Sequence, residues 1–294
     1  MELDETQRHI QATARAFAAR EIAPFARQWD EAEGAPPDIL KRMAEVGLMG
    51  VCVDPAYGGA GADFTAYVLA MEEIAVADGG LANAMGATNW PVGAALEEHG
   101  SDWQKETYLT RLCSGEWTAS IHLTEPHAGS DAAAIRTRAA RDGADWVIDG
   151  EKAFITAGAS SGLAMILAVT DPDAGKRGIT AFVTPTDNPG YQVVREEKKL
   201  GHRTNDTAHV ALRAMRVPDR DVLGEVGRGL GIALGNLSAG RIAVAAQAVG
   251  GARAALKAAR GYAATRETFG KPIIEHQAIA FMLADTATEV EAAR

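Results

Sequence analysis

Apolar residues follow three successive patterns along this chain. In the first third they recur at helical spacing, as in Leu3, Ile10 and Phe17, with charged residues on the other faces. From about Trp117 the pattern changes to short runs rich in β-branched residues, and these runs are separated by turn residues. Helical spacing returns from about Gly229. The order helical, β, helical predicts an α+β protein.

These changes of pattern divide the chain into three predicted domains. Residues 1–116 form an N-terminal helical domain, residues 117–226 a small central antiparallel β domain, and residues 227–294 the start of a C-terminal helical bundle. Ser101 with Gln104 predicts a capping box for a helix that ends near Cys113.

Strand candidates in the central part come from runs of apolar and β-branched residues. An Asp149-Gly150 pair lies between two such runs, residues 146–148 and 151–156, and predicts a hairpin because glycine tolerates the positive φ of tight hairpin turns. The other predicted strands are residues 165–170, 179–183 and 208–217.

Two helices are predicted in the last part of the chain. One extends from about Gly229 to about Thr265, and a second begins near Ile274 and continues to Arg294 without a stop signal. Two antiparallel helices leave an apolar stripe uncovered, and helical bundles usually close with four. We therefore expect either that the chain is cut short or that another chain supplies the cover.

Composition excludes several classes of protein. The 294 residues are 47% apolar with a net charge of −10, which disfavours binding to nucleic acid or anionic membrane. The sequence contains no run of about 18 apolar residues, the length that predicts a membrane span, and it shows no secretory signal. Two cysteines without partners at ligand spacing predict no metal site and a reducing, cytoplasmic location, although a processed mitochondrial form would have the same pattern.

Residues 123–131 carry the first chemical signal. Thr124, Ser130 and Asp131 are compact hydrogen-bonding residues, and Gly129 lets a backbone approach another molecule closely. A flat cofactor with a polar edge, such as a flavin, requires backbone amides and hydroxyls without bulky side chains. On residue types alone, an ordinary loop after a strand remains the alternative.

A family resemblance decides between these interpretations. Residues 124–131, TEPHAGSD, resemble the TEPxAGSD signature of the acyl-CoA dehydrogenase family. Further similar motifs follow in family order, among them Phe154-Ile155-Thr156, Leu200-Gly201-His202-Arg203 and residues 266–272. The resemblance implies an α domain, a β domain and a helical bundle, assembled as a homotetramer or homodimer. It implies FAD as cofactor, an acyl-CoA substrate and electron-transfer flavoprotein as electron acceptor.

The resemblance also assigns site residues by motif position. The residues it matches to FAD contacts are Ile121, Leu123, Thr124, Ser130, Phe154, Ile155, Thr156, Arg266, Thr268, His276 and Gln277. Arg266, Thr268 and Gln277 match groups that reach the FAD of a neighbouring subunit. Ser130, Ser238 and Arg241 match contacts to acyl-CoA. Many family members have tryptophan at the position of Phe154, and some have aspartate at that of Ser238.

The family reaction needs a carboxylate base, and the sequence does not supply one in a matching position. The base removes a proton next to the thioester carbonyl while the flavin accepts a hydride from the next carbon. Most members carry a late glutamate, which is expected beyond residue 294; a minority carry it just before the arginine matched by Arg241, where this chain has Gly240. We expect these residues alone to show little or no turnover and to bind FAD weakly.

Other interpretations stay open at the level of sequence. The same fold could serve a flavin oxidase or monooxygenase, or a non-catalytic subunit that binds flavin or acyl-CoA. The glycines at 227, 229, 231 and 235 do not have GxGxxG spacing and predict a helix entry rather than a dinucleotide loop. The scattered histidines His122, His127, His202 and His276 are interpreted as hydrogen-bonding residues rather than metal ligands.

Overall fold

The computed structural model describes residues 2–294. The first part of the chain and the last are helical and the middle forms a sheet, which confirms the α+β prediction. The helices are α1 (Glu5–Phe17), α2 (Ala26–Glu31), α3 (Asp38–Glu45), α4 (Phe64–Ala77), α5 (Gly79–Ala87), α6 (Ala94–His99), α7 (Asp102–Gln104), α8 (Thr110–Cys113), α9 (Gly229–Thr265) and α10 (Gln277–Ala293).

Side-chain caps fix where several of these helices begin. Asp4 accepts a hydrogen bond from the amide of Gln7, whose side chain bonds back to the Asp4 amide. The predicted capping box of Ser101 and Gln104 is confirmed at the start of α7. Gly115, with φ of +68°, follows the last helix of this part.

One sheet forms the middle of the molecule. Its strands are β1 (Ala119–His122), β2 (Arg138–Asp142), β3 (Asp145–Thr156), β4 (Leu163–Val169), β5 (Ile179–Pro185), β6 (Tyr191–Glu196), β7 (Thr207–Pro218) and β8 (Val222–Leu223). The order across the sheet is β6-β7-β3-β2-β4-β5-β8, and β1 pairs with β4. A two-stranded ribbon, β9 (Glu267–Thr268) with β10 (Lys271–Pro272), connects α9 to the turn before α10.

The sheet is mainly antiparallel, as predicted, but the structure corrects the prediction in that two of its strand pairs are parallel. β1 is parallel to β4, with Ala119 opposite Leu163, and β2 also meets β4 in parallel at Arg138 and Val169. Parallel neighbours need a long connection between them. The β2–β3 hairpin provides it, because it is inserted between β1 and β4 along the chain.

The predicted hairpin at Asp149-Gly150 was also wrong. β3 passes straight through this pair, and the register against β7 shifts there, as at a β-bulge. A Cβ on Gly150 would lie 2.4 Å from Thr137 Oγ1, and the Asp149 carboxylate accepts a hydrogen bond from the Ala214 amide opposite, at 2.8 Å. Glycine is therefore required at position 150, because Thr137 approaches the strand closely there. The turn of the β2–β3 hairpin instead includes Gly143, with φ of +64°.

Helix α4 lies between α1 and α9 and joins the two helical parts of the chain. At its crossing with α9, a Cβ on Gly250 would come within 2.4 Å of the Glu72 carbonyl oxygen. The buried carboxylates of Glu72 and Glu73 both pair with Arg253 of α9, and Glu73 also pairs with Arg15 of α1 at 2.8 Å. Because one core includes residues of both helical parts, their division into separate domains at 116/117 and 226/227 stays a prediction.

Helix α9 has the length and composition of a membrane-crossing helix. Alanine and glycine make up much of this helix, and these small residues allow α9 to lie close against α4 and β5. The expectation that no part of the chain spans a membrane stays a prediction.

Candidate functional site

The loop that follows β1 presents backbone and a hydroxyl group at the surface. The Glu125 amide donates to the Ala128 carbonyl at 2.9 Å, and the Ala128 amide donates back to Glu125 at 3.0 Å, which closes a tight turn. Beyond the turn, a Cβ on Gly129 would meet no atom within 4 Å, and Ser130 is exposed. The open space beside Gly129 and the exposed hydroxyl form a surface that a flat molecule can approach.

The end of β3 lies beside this loop and holds a strained aromatic residue. The Ala153 amide donates to the Thr124 carbonyl at 3.0 Å and ties the two segments together. The register of β3 shifts between Lys152 and Ile155, and Phe154 at the shift has φ of +57° with 64% of its surface exposed. A bulky residue in the left-handed region is costly and is characteristic of functional sites. Thr156 follows on the same strand and is half-buried.

A second group of predicted site residues surrounds the β9–β10 ribbon. Thr268 Oγ1 and His276 Nε2 are 2.9 Å apart, and Gln277 begins α10 directly after this histidine. Arg266 directly follows α9, and there its carbonyl accepts a hydrogen bond from the Ile273 amide at 2.7 Å and its side chain is exposed. The ribbon therefore fixes the backbone of these residues and leaves the guanidinium free to bind an anion.

The remaining predicted residues lie apart from both groups. Ser238 and Arg241 are exposed on α9, just beyond the point where Trp90 Nε1 donates to the Asn236 carbonyl at 2.8 Å. Ile121 is half-buried on β1, whereas Leu123 and Ile155 are almost fully buried.

The structure brings together residues 123–124 and 154–156, and separately residues 266–277. Within residues 2–294, no hydrogen bond or ion pair links these two groups. The predicted roles of the individual residues stay predictions.

The histidines singled out in the sequence all form hydrogen bonds, as interpreted. His122 Nε2 is 2.9 Å from Ser120 Oγ, and His127 Nε2 is 3.2 Å from the Ala134 carbonyl. His202 Nδ1 is 3.0 Å from Asn83 Nδ2, and His276 is the partner of Thr268 described above. Within residues 2–294, no group of three or more His, Cys, Asp or Glu side chains is arranged to hold a metal.

The glycine-rich segment is a helix entry, which confirms the sequence interpretation. Gly227 has φ of +84°, and Gly229 is the first residue of α9. A Cβ on Gly229 would lie 2.3 Å from the Ala181 amide nitrogen, so glycine lets α9 begin directly on β5.

The sequence does not predict the buried ion pair that lies behind this loop. Lys152 lies on β3 with its side chain fully buried and 2.9 Å from Glu125 Oε1. The only signal in the sequence is a lysine within a run of strand-forming residues, which does not reveal a partner 27 positions away.

Three family models match successive parts of the chain. The acyl-CoA dehydrogenase N-terminal domain matches residues 4–116, the middle domain residues 120–215 and the C-terminal domain residues 227–294. The chain belongs to the acyl-CoA dehydrogenase family. An acyl-CoA dehydrogenase of Bacillus subtilis (strain 168) is 39% identical over 305 residues, an alignment that covers 100% of this chain and 78% of that protein.

Solved structures of the family have the same fold as this acyl-CoA dehydrogenase. Butyryl-CoA dehydrogenase from Megasphaera elsdenii has a TM-score of 0.95 at 34% identity, covering 99% of this chain and 77% of the other. A glutaryl-CoA dehydrogenase from Mycobacterium smegmatis in complex with FADH2 has a TM-score of 0.92 at 32% identity, covering 99% and 74%. A chain in a structure described as the electron transferring flavoprotein of Acidaminococcus fermentans has a TM-score of 0.97 at 37% identity, covering 99% and 77%.

The chain is therefore an FAD-dependent oxidoreductase of the class that acts on CH–CH bonds. The comparisons do not favour the oxidase, monooxygenase or non-catalytic alternatives. The residues present fit the cofactor: the open space at Gly129 admits a flat ring system, and exposed Phe154 offers it an aromatic face.

The strain at Phe154 allows its role to be tested. Phe154→Gly is expected to raise the free energy of unfolding of the cofactor-free protein by about 1 kcal/mol, because glycine adopts φ of +57° without strain. The same change is expected to weaken FAD binding about tenfold through loss of an aromatic contact. Urea unfolding and a fluorescence titration with FAD measure the two effects.

Ala157→Gly is the matched control, because Ala157 has φ of +56° but is 1% exposed. It should leave FAD affinity unchanged. Unaltered FAD affinity in Phe154→Gly would contradict the predicted flavin contact.

Proposed function

We propose that this acyl-CoA dehydrogenase converts an acyl-CoA to its 2,3-enoyl-CoA in fatty acid β-oxidation and passes the electrons to an electron-transfer flavoprotein. The observation that carries the proposal is the joined pair of segments at Thr124 and residues 154–156, in which a strained, exposed aromatic residue and a threonine hydroxyl border an open loop. An acyl thioester and a flavin ring are flat groups that such a surface can hold side by side.

The residues divide the binding work between them. Thr124, Ser130 and Thr156 offer hydroxyl groups to the flavin and the acyl-CoA, and Phe154 covers the ring. Arg241 lies exposed on α9, where a guanidinium suits the phosphates of the CoA arm.

A second subunit would complete the site. Arg266, Thr268, His276 and Gln277 surround the β9–β10 ribbon, away from the loop that contains Thr124. An arginine fork recognises a pyrophosphate through paired hydrogen bonds. The separation of the two groups supports a homotetramer or homodimer in which each subunit lends this ribbon to its neighbour.

FAD, when bound, supplies hydride acceptance. The chain's own contribution is to hold the acyl thioester against that acceptor, to exclude water and to donate hydrogen bonds to the thioester carbonyl, which acidifies the neighbouring C–H bond. Gly240, just before Arg241, offers no carboxylate for proton removal.

Both cysteines are free thiols, and Cys113 is buried. Free thiols are typical of a reducing compartment, which supports a cytoplasmic location.

A reoxidation experiment tests the electron acceptor without requiring turnover. The FAD-loaded protein is photoreduced and mixed in a stopped-flow instrument with oxidised electron-transfer flavoprotein or with oxygen, in the presence of an enoyl-CoA. We expect reoxidation by the flavoprotein to be at least about tenfold faster than by oxygen, since binding energy can align the two flavins.

Rapid reoxidation by oxygen with release of hydrogen peroxide would contradict the proposal and identify an oxidase. Light scattering during size-exclusion chromatography tests the assembly, and a monomer that binds FAD as tightly as an oligomer would contradict the shared site.

A further inference from the structure

Glu125 and Lys152 form an ion pair that is cut off from solvent. Lys152 Nζ lies 2.9 Å from Glu125 Oε1, and the side chains are 0% and 2% exposed. Neither can reach a molecule bound at the surface, so neither is a catalytic or ligand-binding residue.

Both charged groups are fully hydrogen-bonded. The three protons of the Lys152 ammonium go to Glu125, to the Leu123 carbonyl at 3.3 Å and to the Leu167 carbonyl at 2.8 Å. The Glu125 carboxylate also accepts the amides of Arg136 at 2.7 Å and Thr137 at 3.0 Å. The pair therefore connects the loop after β1, strands β3 and β4, and the segment that leads into β2.

These connections converge on the two segments of the candidate flavin site. Leu123, whose carbonyl binds Lys152, directly precedes Thr124. Lys152 directly precedes Ala153, whose amide binds Thr124, and lies two residues before strained Phe154. A displacement of the ammonium would shift both sides of the site.

A buried ion pair is a poor source of net stability, because desolvation of two charges offsets their attraction. Its remaining contribution is to the four backbone groups that it binds. Burial lowers the pKa of Lys152 to about 8 although Glu125 opposes this change, which shows that the ammonium is held at a cost. Its geometric role is therefore the feature that an apolar pair would not reproduce.

We propose that Glu125 and Lys152 are positioning residues for the acyl-CoA dehydrogenase reaction, which set the loop at 123–125 against residues 154–156 and thereby the shape of the flavin site. The proposal rests on the flavin contacts proposed above. It assigns to the pair a role in cofactor affinity and environment that is separable from folding.

The decisive variant replaces both charges at once. Lys152→Met with Glu125→Leu leaves the backbone groups of Leu123, Leu167, Arg136 and Thr137 without these partners, so it is expected to lower the thermal midpoint. It is also expected to raise the FAD dissociation constant by about tenfold or more, well beyond the change in a control of comparable stability loss. The absorbance and visible circular dichroism of bound FAD should change as well. Fluorescence titration of the complete chain with FAD gives the affinity.

A matched control loses a different buried interaction. Tyr108→Phe removes the hydrogen bond from the tyrosine hydroxyl to Asp221 Oδ1, 3.0 Å long, in the turn between β7 and β8. It should lower the thermal midpoint and leave FAD affinity within about twofold, since it shifts neither segment of the site. Equal loss of FAD affinity in this control would show a general effect of destabilisation and overturn the proposal.

Glu125→Asp decides the matter if the double variant does not fold. It keeps both charges and withdraws the carboxylate by one methylene, so a positioning role predicts weaker FAD binding and an altered flavin spectrum. Unchanged FAD affinity and an unchanged flavin spectrum in either variant would overturn the positioning role and leave the proposed flavin site intact. Failure of the unmodified chain to bind FAD would overturn the flavin site itself, and this proposal with it.

Discussion

Acidification from pH 7 to pH 5 is expected to lower the free energy of unfolding by about 2 kcal/mol, and most of this loss should come from His122. The imidazole is fully buried, and burial together with the nearby Lys152 ammonium lowers its pKa to about 3. The folded protein therefore keeps His122 neutral at pH 5, while the unfolded chain protonates it below about pH 6.5.

The direction follows from the protons bound in each state. Between pH 6.5 and pH 3 the unfolded chain binds one proton more at this residue than the folded protein does. Each pH unit in this range therefore removes about 1.4 kcal/mol, and stability is regained as the pH rises. The buried Nδ1 of His122 has no partner in the described structure, so a proton there would gain no hydrogen bond.

Urea unfolding at pH 7, 6 and 5 measures the effect. His122→Gln should be less stable at pH 7, because it disturbs the bond to Ser120, but its stability should change little between pH 7 and 5. His9→Gln, at an exposed position of α1, should retain the slope of the original protein. A steep slope in His122→Gln would contradict the assignment.

Asn89→Asp is expected to lower the free energy of unfolding by about 3 kcal/mol or more, because two buried donors are lost at once. Asn89 is 3% exposed, and its amide nitrogen donates to the carbonyls of Leu48 at 2.9 Å and Met85 at 3.0 Å. Its oxygen accepts from the Val51 amide at 2.7 Å. Aspartate would keep this acceptor but direct an oxygen at two carbonyls.

Asn188→Asp is the matched control, because Asn188 Nδ2 also donates to a carbonyl, that of Arg216, at 2.7 Å, and its oxygen accepts from Gly190. Asn188 is half-buried, so water can replace the lost bond, and we expect a loss of about 1 kcal/mol. Chemical denaturation of both variants at pH 7 gives the comparison. Equal losses would show that burial does not determine the cost at Asn89.

The sequence predicted those parts of the fold in which local pattern and tertiary packing agree. The bounds of α9 were predicted to within a few residues, since a long apolar run ends at Arg266 before the Gly270-containing turn. The Asp149-Gly150 pair gave a wrong prediction of a hairpin turn, because the same two residues are compatible with both a hairpin turn and a β-bulge. Only the contact between Gly150 and Thr137, made across the sheet, decides between them. The exposed edge strand β6 gave little signal, since it has no buried face to produce alternation.

The motifs of the candidate site could be predicted from the sequence, but the buried ion pair and the register shift that hold them in place could not. Thr124, Phe154 and Thr156 were assigned through motif resemblance, and the structure places their two segments side by side. The pairing of Glu125 with Lys152 depends on the register between a loop and a strand 27 residues apart, which no local spacing encodes. The strain at Phe154 is likewise a consequence of the register shift in β3.

The position of α4 between α1 and α9 has a consequence for synthesis of the chain. Helix α4 ends at Ala77 and α9 begins at Gly229, so a ribosome that adds 5–20 residues per second begins α9 about 8–30 s after it completes α4. During that interval the α4 surface around Glu72 is without the helix that covers it. Every newly made copy therefore passes through a period in which this helix face is uncovered and Glu72 lacks the arginines that pair with it, whereas Glu73 already has Arg15 within reach.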